Sequence, residues 1–163
     1  MIQVLDDDMT LFFEKKFPYK CRSKAIKKNK KSNSVTLGIG GNIGDVIHRF
    51  HKLFAMLQRD SRFRIEKTSP ILKNPPFGYL EQDYFFNAII VLKTNLTPIE
   101  ALSAFQKYEL LFKRTRSFQD APRTLDIDII FFNKIQIDTP RLTIPHKGYK
   151  ERPSVLIPLE FVS

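Results

Sequence analysis

Tryptophan is absent from this chain, cysteine occurs once, and glycine accounts for only six of 163 residues. A lone thiol, Cys21, cannot close an internal disulfide, which excludes the disulfide-stapled scaffolds and favours a reducing compartment. No apolar run approaches the roughly 20 residues of a membrane-spanning helix. The opening Met1-Ile2-Gln3-Val4-Leu5-Asp6-Asp7-Asp8 lacks the basic-then-apolar order of a secretory signal. A cytoplasmic protein with no membrane partner is expected. What is abundant is phenylalanine, 15 residues within a 42% hydrophobic composition, so the core should be aromatic. The length suits one domain.

The formal net charge is +10. Residues 1–33 hold nine Lys or Arg against four Asp or Glu, so half of the excess sits in a fifth of the chain. Such a run reads as a solvated extension and linker more readily than as a nucleic-acid arm. Leu11, Phe12, Phe13 and Phe17 could dock it onto the domain, which is expected to span 34–163. The basic charge of the remainder suits a polyanionic ligand, and nucleotide phosphates meet that need as well as RNA does.

Val35 to Ile39 reads as a strand, Gly40 to Asp45 as a glycine-rich turn, and Val46 to Arg59 as a helix capped by Asp45. The turn is either a plain turn or a phosphate cradle; it is not a complete Walker or Rossmann fingerprint. Phe63 to Thr68 alternates like a half-buried strand. Ser69 to Glu81, with Pro70, Pro75, Pro76 and Gly78, reads as a long loop. Phe85 to Leu92 is the strongest strand, and its Asn87 must be hydrogen-bonded if buried, to the backbone or to a ligand amide. Thr97-Pro98-Ile99-Glu100 opens a second helix with a capping box, running to about Phe112 on Leu102, Phe105, Tyr108 and Leu111. A polar loop, 113–121, carries Arg114 and Arg116. A turn near Asn133-Lys134 then leads to a short strand, Ile135 to Ile137, and an apolar tail.

Between that loop and that turn lies Pro122-Arg123-Thr124-Leu125-Asp126-Ile127-Asp128-Ile129, a strand with two carboxylates two residues apart. Alternate side chains of a strand share a face, so Asp126 and Asp128 project together while Leu125, Ile127 and Ile129 point the other way. The plain alternative is a half-solvated strand with an acidic outer face. Paired carboxylates surrounded by Arg114, Arg116, Arg123, His146 and Arg152 instead suit divalent cations that also hold phosphate oxygens. The element order β-α-β, β-α-β implies an α+β fold of ferredoxin-like plan. Its sheet should be mainly antiparallel, with helices packed on one face and the aspartates and long catalytic loops on the other.

From Val35 to Leu159 the chain resembles the 6-hydroxymethyl-7,8-dihydropterin pyrophosphokinases of folate biosynthesis. The matching segments are Leu37 to Asp45, Pro75-Pro76-Phe77-Gly78-Tyr79, Phe86-Asn87-Ala88, Arg123 to Asp128, Leu142 to His146, Glu151-Arg152 and Val155 to Leu159. The resemblance implies transfer of pyrophosphate from ATP to the pterin hydroxymethyl oxygen, releasing AMP. It implies two Mg²⁺ ions on Asp126 and Asp128, and ATP held by Arg123, His146, Arg152 and Glu109. Arg114 and Arg116 would be catalytic clamps on the phosphates. The reduced pterin would be bound by Gly40, main-chain groups of Asn74, Pro75, Pro76 and Phe77, the ring of Phe85 and the amide of Asn87. A monomer acting on small molecules is expected, with nucleic acid an unlikely partner.

The chain departs from the family pattern in places. Gln119-Asp120-Ala121-Pro122-Arg123 stands where Arg-Trp-Gly-Pro-Arg is usual, with Phe118 available as a replacement aromatic. Gly41 stands where Ser is common, and Ser154 where a second ring-stacking aromatic is usual. Stacking is therefore either one-sided or completed by Tyr149 or another ring, and weaker pterin binding is expected. Two rival readings follow: a ferredoxin-like RNA-binding module, which would not explain the aspartates, and an inactive relative of the enzyme.

Overall fold

The computed structural model describes residues 1–22, 33–113 and 118–163. Among the described residues ten strands are formed: β1 (Ile2–Val4), β2 (Thr10–Phe12), β3 (Tyr19–Lys20), β4 (Asn33–Gly41), β5 (Phe63–Thr68), β6 (Ile71–Asn74), β7 (Phe85–Thr94), β8 (Asp126–Phe132), β9 (Ile137–Asp138) and β10 (Thr143–Ile144). The helices are α1 (Val46–Arg59), α2 (Pro98–Leu111) and α3 (Pro153–Glu160). Eight strands make one sheet with the path β1-β2-β6-β7-β4-β8, in which β5 joins β7 and β3 joins β5. Every pairing is antiparallel. The α+β, ferredoxin-like plan is therefore present.

Helices α1 and α2 form where the sequence signals place them. The Asp45 side chain accepts the His48 N–H at 3.0 Å and starts α1. Thr97 and Glu100 complete the capping box of α2. The α1 stripe Phe50, Leu53, Phe54 and Leu57 is buried against the sheet. In α2 the buried set is Ala101, Ala104, Phe105, Tyr108 and Glu109. Leu111, expected on that stripe, is 65% exposed, because the smaller Ala101 and Ala104 bring the helix down on a neighbouring line of its surface.

Residues 69–81 are not wholly loop. Ile71–Asn74 form β6, with Ile71 and Leu72 fully buried. Proline signals mislead here because β5 and β6 lie in succession along one edge of β7 and only the joint is irregular. At the joint Ser69 donates its N–H to the Ile89 carbonyl (2.9 Å). Its Oγ accepts the Ile89 N–H (2.8 Å) and donates to the Pro70 carbonyl (2.8 Å). The hydroxyl thus satisfies a strand amide beside a proline that has no N–H to offer.

The N-terminal segment joins the same sheet: β2 pairs with β6 and β3 with β5. Leu11 and Phe17 are buried, and Phe17 meets Phe50 and Phe54 at 6.0 Å between ring centroids. Most of the basic run, residues 23–32, lies outside the described residues.

The apolar tail forms α3, a helix without a counterpart in the sequence reading, and it packs on the sheet face opposite α1 and α2. Ala88, Ile90 and Leu92 of β7 belong to the main core, whereas Ile89 and Val91 meet Val155, Leu159 and Val162. A register shift between β4 and β8 at Thr36/Leu37 lets both Ile130 and Phe131 join this second cluster while Phe132 returns to the first.

Candidate active site

The cleft lies on the α3 face, and its floor is set by the register of three strands. Gly40 of central β4 is paired on one side with Asn87 of β7 and on the other with Asp126 of β8; Gly38 is paired with Ile89 and Asp128. Strands lie about 4.8 Å apart, so Asn87 and Asp126 stand roughly 10 Å from each other across a floor without side chains. A Cβ on Gly40 would come within 2.6 Å of Asn87 Oδ1, and one on Gly41 within 2.6 Å of the Thr124 carbonyl oxygen. Gly40, with Gly38 beside it, therefore clears a seat between an amide and a carboxylate pair. Phe77, Phe85, Asn74, Arg123, Arg152 and Ser154 surround it, and the cleft encloses about 670 Å³ including the solvent at its mouth.

The amide wall is preorganised. Asn87 Nδ2 donates to Asn74 Oδ1 at 2.7 Å, and Asn74 Nδ2 donates to the Pro75 carbonyl at 2.9 Å. Asn87 is thus bonded to a neighbouring side chain and still lines the cleft, so the structural and the ligand-binding readings both apply to it.

On the opposite wall Arg123 Nη1 donates to Asp126 Oδ2 at 3.0 Å, and the guanidinium carbon lies 5.5 Å from the Phe85 ring centroid. Asp126 is 14% exposed and Asp128 34%. His146 Nε2 lies 3.8 Å from Asp128 Oδ2. Burial, then the Arg152 guanidinium, lower the imidazole pKa from its usual 6.5 despite the opposing pull of Asp126. The Arg152 guanidinium stands 5.5 Å over the Phe77 ring, which is 65% exposed.

The structure thus brings Gly40, Asn74, Phe77, Phe85, Asn87, Arg123, Asp126, Asp128 and Arg152 to one cleft, with His146 against Asp128. Glu109 is placed differently: it is 7% exposed in α2, and its Oε2 accepts the Ile127 N–H at 2.9 Å. Arg114 and Arg116 lie outside the described residues. Tyr149 does not reach the cleft, since it packs edge-on against Phe131 at 5.0 Å. Phe118 meets Tyr79 at 5.2 Å and is not among the cleft-lining residues.

Asn42 is the residue whose role sequence reasoning missed. It is 6% exposed. Its N–H donates to the Arg123 carbonyl (3.0 Å) and its Oδ1 accepts the Arg123 N–H (2.9 Å). Its Nδ2 donates to Gln82 Oε1 (2.9 Å) and to the Asp83 carbonyl (3.0 Å). Gln82 in turn donates to the carbonyls of Tyr79 and Asp120. One side chain therefore ties the first turn to both loops that border the cleft. An amide placed in a glycine turn just before a helix was the available signal.

Among the described residues no group of three His, Cys, Asp or Glu side chains is arranged to hold a metal ion. Two hard carboxylates facing one cleft still fit Mg²⁺, which is commonly bound by one or two carboxylates together with substrate phosphates.

The sequence of residues 36–163 matches the family model described as 7,8-dihydro-6-hydroxymethylpterin-pyrophosphokinase. The chain belongs to this family. It is 43% identical over 126 residues to a 2-amino-4-hydroxy-6-hydroxymethyldihydropteridine pyrophosphokinase of Campylobacter jejuni, covering 77% of this chain and 80% of that one. A like-named protein of Helicobacter pylori is 42% identical, covering 78% and 80% respectively. One from Bacillus subtilis is 37% identical, covering 78% and 77%. The pyrophosphokinase match begins one residue after Val35, so β1–β3 lie outside it.

Proposed function

We propose that this chain transfers pyrophosphate from ATP to 6-hydroxymethyl-7,8-dihydropterin in the cleft above Gly38 and Gly40, in a Mg²⁺-dependent reaction of folate biosynthesis. The observation that carries the reading is the strand register that sets Gly40 between Asn87 and Asp126. A flat amide-edged ring resting on the floor beside Asn87 and Phe85 points its hydroxymethyl group toward Asp126 and Asp128. The span of roughly 10 Å between the two walls suits a ring of that size.

Asp126 and Asp128 would hold two Mg²⁺ ions, which would supply neutralisation of phosphate charge and Lewis-acid activation of the phosphoryl group. The chain's own groups do the rest. Asn87 and the main chain at Asn74 to Phe77 orient the pterin, and Phe85 covers one face of its ring. Arg123, Arg152 and His146 bind the phosphates of ATP, with Arg114 and Arg116 completing the clamp. The pterin hydroxyl oxygen forms its bond to the β-phosphorus, the bond from that phosphorus to the oxygen bridging the α-phosphorus breaks, and AMP departs. The hydroxyl proton passes to solvent. Positioning and charge stabilisation account for the catalysis, as is usual for phosphoryl transfer. The groups named come from one chain, which acts as a monomer, and the single cysteine fits a cytoplasmic setting.

The test is AMP formation from ATP and the pterin, with and without Mg²⁺, in the wild type and in Asp126→Ala and Asp128→Ala. Mg²⁺-dependent AMP, matched by pterin diphosphate and reduced at least 10³-fold in both variants, is expected. Folded wild type that releases no AMP would remove the catalytic claim.

A further inference from the structure

We propose that Glu109 is a positioning residue that acts on the carboxylate pair through the main chain of β8. The proposal rests on the reading of Asp126 and Asp128 given above and concerns how they are held.

Strand β8 is the last strand on its side of the sheet: β4 covers one of its edges, and among the described residues no strand pairs along the other, where the His146 N–H donates to the Ile130 carbonyl at 2.9 Å. An edge strand with few main-chain partners can fray and slip in register, and a slip of one residue turns every side chain to the opposite face. In β8 such a slip would carry Asp126 and Asp128 away from the cleft and into the main core. Helix α2 runs beside this edge, and the buried Glu109 carboxylate accepts the Ile127 N–H at 2.9 Å. Ile127 is the residue between the two aspartates, and its side chain is buried on the helix side. The bond therefore grips the strand midway between the two carboxylates, from the edge that β4 does not reach. A carboxylate accepting a main-chain N–H is stronger than a neutral acceptor, and a buried amide left without one is costly. Glu109 serves β8 on this edge as a further strand would.

Three variants in the full chain test this. Glu109→Ala removes the acceptor, Glu109→Gln keeps an acceptor oxygen without the charge, and Phe105→Leu is a control that loosens the packing of α2 elsewhere. The readouts are amide hydrogen exchange over 125–129, Mn²⁺ binding followed by electron paramagnetic resonance with α,β-methylene-ATP present, and affinity for that analogue alone in EDTA. Glu109→Ala should exchange at least tenfold faster at the Ile127 amide and bind Mn²⁺ at least tenfold more weakly. Its affinity for the analogue in EDTA should stay within twofold of wild type. Glu109→Gln should recover most of both losses, and Phe105→Leu should show neither. If Glu109→Ala matches Phe105→Leu in exchange and Mn²⁺ binding, the positioning role is wrong. A tenfold loss of analogue affinity in EDTA would overturn it in favour of direct nucleotide contact. If Asp126→Ala and Asp128→Ala leave Mn²⁺ binding unchanged, the reading of the cleft fails, and this proposal fails with it.

Discussion

Asn42 and Ser154 show how single side chains shape this cleft from outside the chemistry. Asn42 makes four hydrogen bonds that reach β7's preceding loop and the approach to β8, and three of them are made through its side chain. Asn42→Ala leaves buried loop groups unpaired, which costs about 1–3 kcal/mol for each buried group that finds no water. We expect kcat/KM for the pterin to fall about 10–100-fold, read by steady-state kinetics, with a smaller loss of stability in urea. Ser154 lines the cleft, and Tyr149 is held against Phe131, so neither supplies a second stacking ring. Phe77, with its exposed ring, is the remaining aromatic beside Phe85 at the cleft. An aromatic pair contributes about 0.5–1.5 kcal/mol beyond area burial. Ser154→Phe should therefore tighten pterin binding about three- to tenfold by calorimetry, and an unchanged dissociation constant would show that position 154 does not face the ring.

At the scale of elements, the end of α1 is fastened by a charged cluster. Asp60 takes a two-point contact from Arg62, Nε at 3.0 Å and Nη2 at 2.7 Å, and the Tyr108 hydroxyl donates to it at 2.7 Å. The bonds from Arg62 lead the causes that lower the Asp60 pKa from 3.8 to about 2, while burial pushes the Tyr108 hydroxyl up to about 12. A carboxylate with a depressed folded pKa contributes stability above its unfolded value and loses it as pH falls through the folded one. The window here runs from 3.8 down to about 2. The shift corresponds to about 2 kcal/mol at most, lessened because Arg62 is half-exposed and screened by solvent. Asp60→Asn should lower the urea midpoint at pH 7 by the equivalent of about 1–2 kcal/mol, and the difference from wild type should shrink as pH falls through this window and be lost below about pH 2.

The same scale shows what could be read without coordinates. Caps, apolar stripes and alternation located α1, α2, β5, β7 and β8, because each is set by bonds and contacts close in sequence. The strand β6 and the helix α3 escaped. Prolines flank or interrupt both, and both are held by distant partners, β6 by β7 and β2 and α3 by the second face of the sheet. The cleft was legible where one strand carries its chemistry, as with Asp126 and Asp128, or where the family resemblance named a residue. The place of Gly40 between Asn87 and Asp126 depends on register across three strands, and Glu109 on helix-to-strand contact. Neither leaves a local pattern.

For the whole molecule, the sheet is larger than the family match. Strands β1–β3 precede residue 36, yet Phe17 is fully buried against α1 and Leu11 is 1% exposed beside β6. Phe17→Ala should cost about 3–5 kcal/mol in urea unfolding followed by circular dichroism, although it lies in a segment outside the family match. A cost below about 1 kcal/mol would mark the N-terminal strands as an ornament on a core complete without them. The cleft sits toward the other side of the sheet, over β7, β4 and β8, and its glycine floor bears on resistance. A side chain at Gly40 collides with the Asn87 amide, and one at Gly41 with the Thr124 main chain. An inhibitor that rests over Gly40, and leaves the bordering loops alone, would meet a surface that the chain can alter there only by displacing the Asn87 amide on which its own substrate depends, which narrows mutational escape.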